Sequence, residues 1–134
     1  MDHVETFLAS FKRCLARPDF LLNFYGIFMA SSDEVREKFK DTDFKRQTRV
    51  LAESLWAMSV VAQGEEGSPA WGDLPRLAER HSRRGLDIPA RLYDGWLDSL
   101  VEAARRHDPQ FAPEVEDAWR KTLGVGIEYM RSRY

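Results

Sequence analysis

Apolar residues recur at helical spacing along almost the whole of this chain, which limits the fold to a packing of α-helices. Val4, Phe7, Leu8, Phe11 and Leu15 fall at i, i+3, i+4, i+7 and i+11, one stripe along a first helix. Pro18 interrupts it, and the fixed φ of proline suits the first turn of a second helix. That helix carries Leu21, Leu22, Phe24, Tyr25, Phe28 and Met29. It is apolar round most of its circumference, so it is expected to lie deep between others. Ser31, with Glu34 three residues on, reads as a capping box opening a short helix from Asp33 to Lys38, which Phe39 closes. Glu34 and Lys38 would support it as a surface pair.

Lys40 to Asp43 is a polar corner. From Arg46 to Ala62 a further stripe runs through Val50, Leu51, Leu55, Met58 and Val61. Gln63 to Pro69 is rich in turn formers and reads as a loop inside the domain. A helix from about Leu74 to Arg84 follows, with His81 in its last turns. Pro89 opens a long helix bearing Leu92, Trp96, Leu97, Leu100, Val101 and Ala104, ended by His107-Asp108-Pro109. The last helix opens near Pro113, with Glu114 and Glu116 in the first turn, where the helix dipole favours negative charge. It carries Val115, Trp119, Leu123, Ile127 and Met130. No segment alternates with period two and no internal repeat is visible. The expected class is all-α.

A chain of 134 residues fits one domain, here 1–134, and can bury a core without disulfides or metals as staples. The formal net charge of −2 argues against a general affinity for nucleic acid or an anionic membrane. The longest apolar stretches, such as Leu55 to Ala62, are too short to span a bilayer. Met1 to Glu5 has no export signature. Cys14 is the single cysteine, expected to be a small buried apolar residue, so no intrachain disulfide can form. A reducing, cytoplasmic setting is the simple inference.

Of the three histidines, His81 alone sits in the body of the chain with apolar helices on both sides. A neutral imidazole facing an apolar pocket can bind a transition metal through one ring nitrogen. If the pocket also holds a flat apolar macrocycle, that nitrogen becomes an axial ligand. Taken alone, a lone histidine is more often a satisfied core or surface residue. The four tryptophans, Trp56, Trp71, Trp96 and Trp119, read first as core or interface.

At this point the residues resemble a known family. Phe24-Tyr25, then Glu34 to Phe39, then Gln47 to Leu51, then Leu77 to Gly85 stand in the order and spacing of a globin. Asp117 to Lys121 with Gly124-Val125 is a weaker echo in the last helix. The chain looks most like the bacterial single-domain haemoglobins and the globin module of flavohaemoglobins. The resemblance implies helices packed three over three around a haem pocket, with haem b (iron protoporphyrin IX) as cofactor. The family's proximal histidine falls on His81, which would be the metal ligand. Leu77, one turn earlier, would pack under the haem, and Phe39 would wedge it. Tyr25 matches the distal tyrosine and Gln47 the distal residue opening the next helix, while Leu51 would limit the distal space. Arg84, as a propionate partner, and Trp96 complete the candidate cofactor contacts.

Tyrosine hydroxyls and glutamine amides are neutral donors, suited to a gaseous ligand that gathers negative charge when it binds iron. Two such donors imply slow release of oxygen, which suits storage, sensing or nitric oxide scavenging better than delivery. The expected partners are therefore diatomic gases (O2, CO, NO) and, for repeated turnover of a nitric oxide dioxygenase type, an external reductase. One departure stands out. The family's proximal network uses a tyrosine and a late carboxylate, whereas this chain has Arg91 ten residues past His81, with Tyr93 nearby, and Tyr134 at its end. Two other readings stay open on sequence: a haem-based sensor acting through a partner protein, and a haem-free interaction protein of globin fold.

Overall fold

The computed structural model describes residues 2–64, 72, 74–82 and 88–133. These form the helices α1 (His3–Leu15), α2 (Phe20–Ala30), α3 (Asp33–Lys38), α4 (Phe44–Val61), α5 (Leu74–His81), α6 (Ala90–His107) and α7 (Pro113–Ser132), with no strand among the described residues. The class is all-α, as the periodicity implies.

Each helix begins where its chemistry allows. Asp2 accepts the Glu5 N–H at 2.8 Å to open α1. The Ser32 hydroxyl accepts the N–H groups of Glu34 and Val35 to open α3. The Asp43 carboxylate accepts those of Lys45 and Arg46 to open α4. Such caps satisfy backbone donors that have no partner within the helix. Several boundaries differ from the sequence reading. The cap of α3 is Ser32, not Ser31, whose hydroxyl instead donates back to the Phe28 carbonyl. Pro18 lies in the turn before α2 rather than in its first turn, and Pro89 is the N-cap residue of α6. Helix α4 starts at Phe44, two residues earlier than its apolar stripe suggests, because Asp43 is its cap.

Helices α6 and α7 pack against each other and carry most of the others. Helix α2 lies along α6 and α1 along α7, while α4 and α5 also rest on α7. Close approach of α4 and α7 is helped by Gly126, where a Cβ would come within 2.8 Å of the Met58 methyl carbon. Trp119 of α7 is fully buried, and its ring meets those of Phe7 at 4.7 Å and of Phe11 and Phe20 at 6.2 Å. Leu15 and Val50, although placed on apolar stripes by spacing, are exposed. Trp56 is 42% exposed, with its ring set edge-on to Phe11.

One polar cluster is built into the α1–α7 layer. The Trp119 indole N–H donates to the Ser10 hydroxyl at 2.9 Å, and that hydroxyl donates to Asp108 Oδ2 at 2.6 Å. Arg13 donates through Nε and Nη2 to the two Asp108 oxygens, at 2.6 and 2.9 Å. Burial raises the proton affinity of Asp108, but the hydrogen bonds from Arg13, Ser10 and the Gln110 N–H outweigh it and hold the carboxyl below its ordinary range. Cys14 is fully buried beside this cluster, and burial pushes its thiol up to about 12.

Candidate functional site

Helices α2, α3 and α4 bring one group of candidate residues together. Tyr25, on α2, is only 3% exposed. Three rings surround it edge-on: Phe24 at 4.8 Å, Phe44 at 5.3 Å and Phe39 at 5.5 Å. Phe39 also meets Phe28 at 6.1 Å, and Trp96 of α6 meets Phe24 at 6.4 Å. Gln47 is half-buried on the first turns of α4, and its side chain can hydrogen-bond the Tyr25 phenol. Burial raises the phenol to about 12, against a smaller opposing pull from that bond, so Tyr25 stays neutral at physiological pH. Leu51 is buried one turn beyond Gln47 on the same side of α4.

Helix α5 supplies the second group. His81 is its last residue and is half-buried. The ring's Nδ1 lies 2.9 Å from the Leu77 carbonyl oxygen one turn earlier. A carbonyl can only accept, so Nδ1 carries the proton and donates. Burial lowers the histidine's pKa, the bond to Leu77 opposes this, and the Arg80 charge adds to the lowering. The neutral ring is therefore favoured, with its lone pair on Nε2. No hydrogen-bond partner meets Nε2 among the described residues. The His81 carbonyl accepts the Ile88 N–H at 2.9 Å, which ties the end of α5 to the approach to α6.

The structure thus unites Tyr25, Gln47, Phe39 and Trp96 in one aromatic-walled cluster, and places Leu77 and His81 together on another helix. Among the described residues no hydrogen bond, ion pair or ring contact joins the two groups. Arg84 and Trp71 lie outside the described residues. Glu34, expected to pair along its own helix with Lys38, reaches across to α6, where Arg91 Nη2 donates to both its oxygens at 2.6 and 2.8 Å. Arg91 is thereby committed at the surface.

Sequence reasoning missed Phe44, which closes one side of the Tyr25 cage. Its signal was present: Asp43 is a good N-cap residue, and a helix begun there puts Phe44, Gln47 and Leu51 on one face at i, i+3 and i+7. No helix among the described residues is long and apolar enough to cross a membrane. Nor does any group of three or more His, Cys, Asp or Glu among them suit a metal ion.

Comparison with solved structures decides the family. The chain matches a Pseudomonas aeruginosa protein whose crystal structure is described as structurally highly homologous to a human hemoglobin. The two are 37% identical, with a TM-score of 0.93 over 99% of this chain and 98% of the other. The chain belongs to the globin family. In this globin α1 to α7 form the hemoglobin-like helical fold, as the spacing of Phe24-Tyr25, Phe39, Gln47 and His81 implies. No family model matches the chain, and no curated protein sequence does.

Proposed function

We propose that this globin binds haem b through His81 and holds a diatomic gas (O2, CO or NO) on the side of Tyr25 and Gln47. The observation that carries the reading is the committed Nδ1 of His81. With that atom donating to Leu77, the imidazole is fixed in orientation and tautomer, and Nε2 is left as a donor atom. One protein nitrogen would suffice to hold haem iron, because the macrocycle itself supplies most of the ligands. When bound, haem supplies an iron centre able to coordinate a diatomic gas reversibly.

The chain's own residues do the rest. Leu77 and Leu51 offer apolar surface on α5 and α4, and Phe39 and Trp96 offer flat aromatic surface. The Tyr25 phenol, neutral and shielded by rings, donates a hydrogen bond to an acceptor with partial negative charge. Gln47 shares that task through its amide and also orients the phenol. In a site that excludes water each such bond is worth about 1 kcal/mol, or more towards a charged acceptor, so two donors slow gas release roughly ten- to a hundredfold. Tight retention suits storage at low oxygen, or nitric oxide scavenging with electrons from a separate reductase. A cytoplasmic setting agrees with the lone buried thiol.

Absorption spectra of the purified protein in ferric, ferrous and carbon monoxide forms test this directly. A Soret band that shifts when carbon monoxide is added to the ferrous protein is expected. A colourless protein that fails to take up added haem would mean an interaction protein of globin fold.

A further inference from the structure

Tyr25 is caged by rings from three elements, and one of them, Phe44, comes from the same helix start as Gln47. The Asp43 carboxylate accepts the Lys45 and Arg46 N–H groups at 3.1 and 3.4 Å, while its carbonyl accepts the Gln47 N–H at 2.9 Å. This fixes the first turn of α4 and directs Phe44 and Gln47 to one side, three residues apart. Phe44 then lies edge-on to Tyr25 at 5.3 Å and tilted against Phe39 at 6.2 Å. Phe24 and Phe39 sit beside the phenol ring through α2 and the end of α3, and Phe44 is the ring that α4 adds. Without it, the ring loses a packing partner, and the hydroxyl gains room to swing from Gln47.

We propose that Phe44 is a positioning residue that holds the Tyr25 hydroxyl in its donating orientation, and so governs how fast a bound gas leaves. This rests on the reading of Tyr25 as a gas-facing donor. Phe44 acts through Tyr25, by packing, and needs no contact with the ligand. The aromatic ring matters more than its bulk, because edge-to-face contact fixes the angle of the partner ring as well as its distance.

A double-mutant cycle tests it on the haem-loaded protein, with oxygen dissociation followed by stopped-flow displacement with carbon monoxide. Tyr25→Phe alone is expected to speed dissociation by about tenfold, through loss of a hydrogen bond to a charged acceptor. Phe44→Leu in the Tyr25 background is expected to speed it several-fold, roughly threefold, by weakening the same bond. Phe44→Leu added to Tyr25→Phe is expected to change nothing further. Phe44→Tyr, which keeps a ring, should retain the native rate and guards against a variant that merely folds poorly. Ring flipping of Tyr25, measured by NMR in the diamagnetic carbon monoxide form, should quicken in Phe44→Leu. Equal acceleration by Phe44→Leu in both backgrounds would overturn the proposal while leaving Tyr25 in place. An unaltered rate in Tyr25→Phe alone would overturn the distal reading itself, and the proposal with it.

Discussion

Helices α5 and α6 end in the same way and lead to opposite chemistry. Each closes on a histidine whose Nδ1 donates to the carbonyl four residues earlier: His81 to Leu77 at 2.9 Å, and His107 to Ala103 at 2.7 Å. In both rings the proton is therefore on Nδ1, and Nε2 holds the lone pair. At His107 that lone pair is used, because the Asn23 amide of α2 lies 2.9 Å away and donates to it. The next residue, Asp108, is bound by Arg13, Ser10 and the Gln110 N–H. The end of α6 is thus a closed polar knot that ties α1, α2, α6 and α7 together. At His81 no hydrogen-bond partner among the described residues meets Nε2, and burial favours the neutral ring. Local backbone chemistry sets the tautomer in both cases. What stands at the far nitrogen decides whether a histidine is structural or available.

The largest expected effect on this contrast comes from cutting the knot. Asp108→Ala should cost about 3 kcal/mol of folding stability, since it strands Arg13 and Ser10 and leaves the Trp119 N–H resting on a hydroxyl without its acceptor. Arg13 is partly exposed and can regain water, which keeps the loss near the low end for a broken buried pair. Urea unfolding would measure it, and haem uptake by the surviving folded protein should be intact. Loss of haem uptake at full stability would merge two regions that are separate here.

A smaller effect concerns pH. The folded pKa of His81 lies below its ordinary value of 6.5, so the unfolded chain takes up that proton first as pH falls. Its contribution is present above the ordinary imidazole range and is lost as pH drops through the lowered folded pKa. Haem should therefore leave faster only once the pH falls through that lowered folded value, because protonation and iron would compete for the same Nε2 lone pair. Asp108 titrates separately. Held below its ordinary 3.8, it gives stability that is present above that value and fails only in stronger acid. A haem-loss rate flat from neutral pH down to that range would remove His81 from the iron.

The sequence was most informative where function depends on local spacing. Leu77 and His81 are one helical turn apart, and that alone produces the carbonyl-to-imidazole bond. Tyr25, Phe39 and Gln47 come from three elements, yet their order along the chain was enough to suggest the globin resemblance. Helix ends were less legible. The apolar stripe of α4 begins after its cap, so Phe44 was passed over although Asp43 marked the true start. The polar knot left no local trace at all. Ser10 and Asp108 are 98 residues apart, and Asp108 reads only as the end of a helix until α1 is laid beside it. Glu34 with Arg91 is a similar case, 57 residues apart and invisible to any i,i+4 rule.

The most direct test of the account is a haem titration of His81→Ala beside His107→Ala, followed by the Soret band. If the available Nε2 is what holds the cofactor, His81→Ala should lose stable haem binding. His107→Ala, whose lost ring nitrogens served only Asn23 and Ala103, should bind haem with a native spectrum. Haem retained by His81→Ala with an unchanged spectrum would contradict the account.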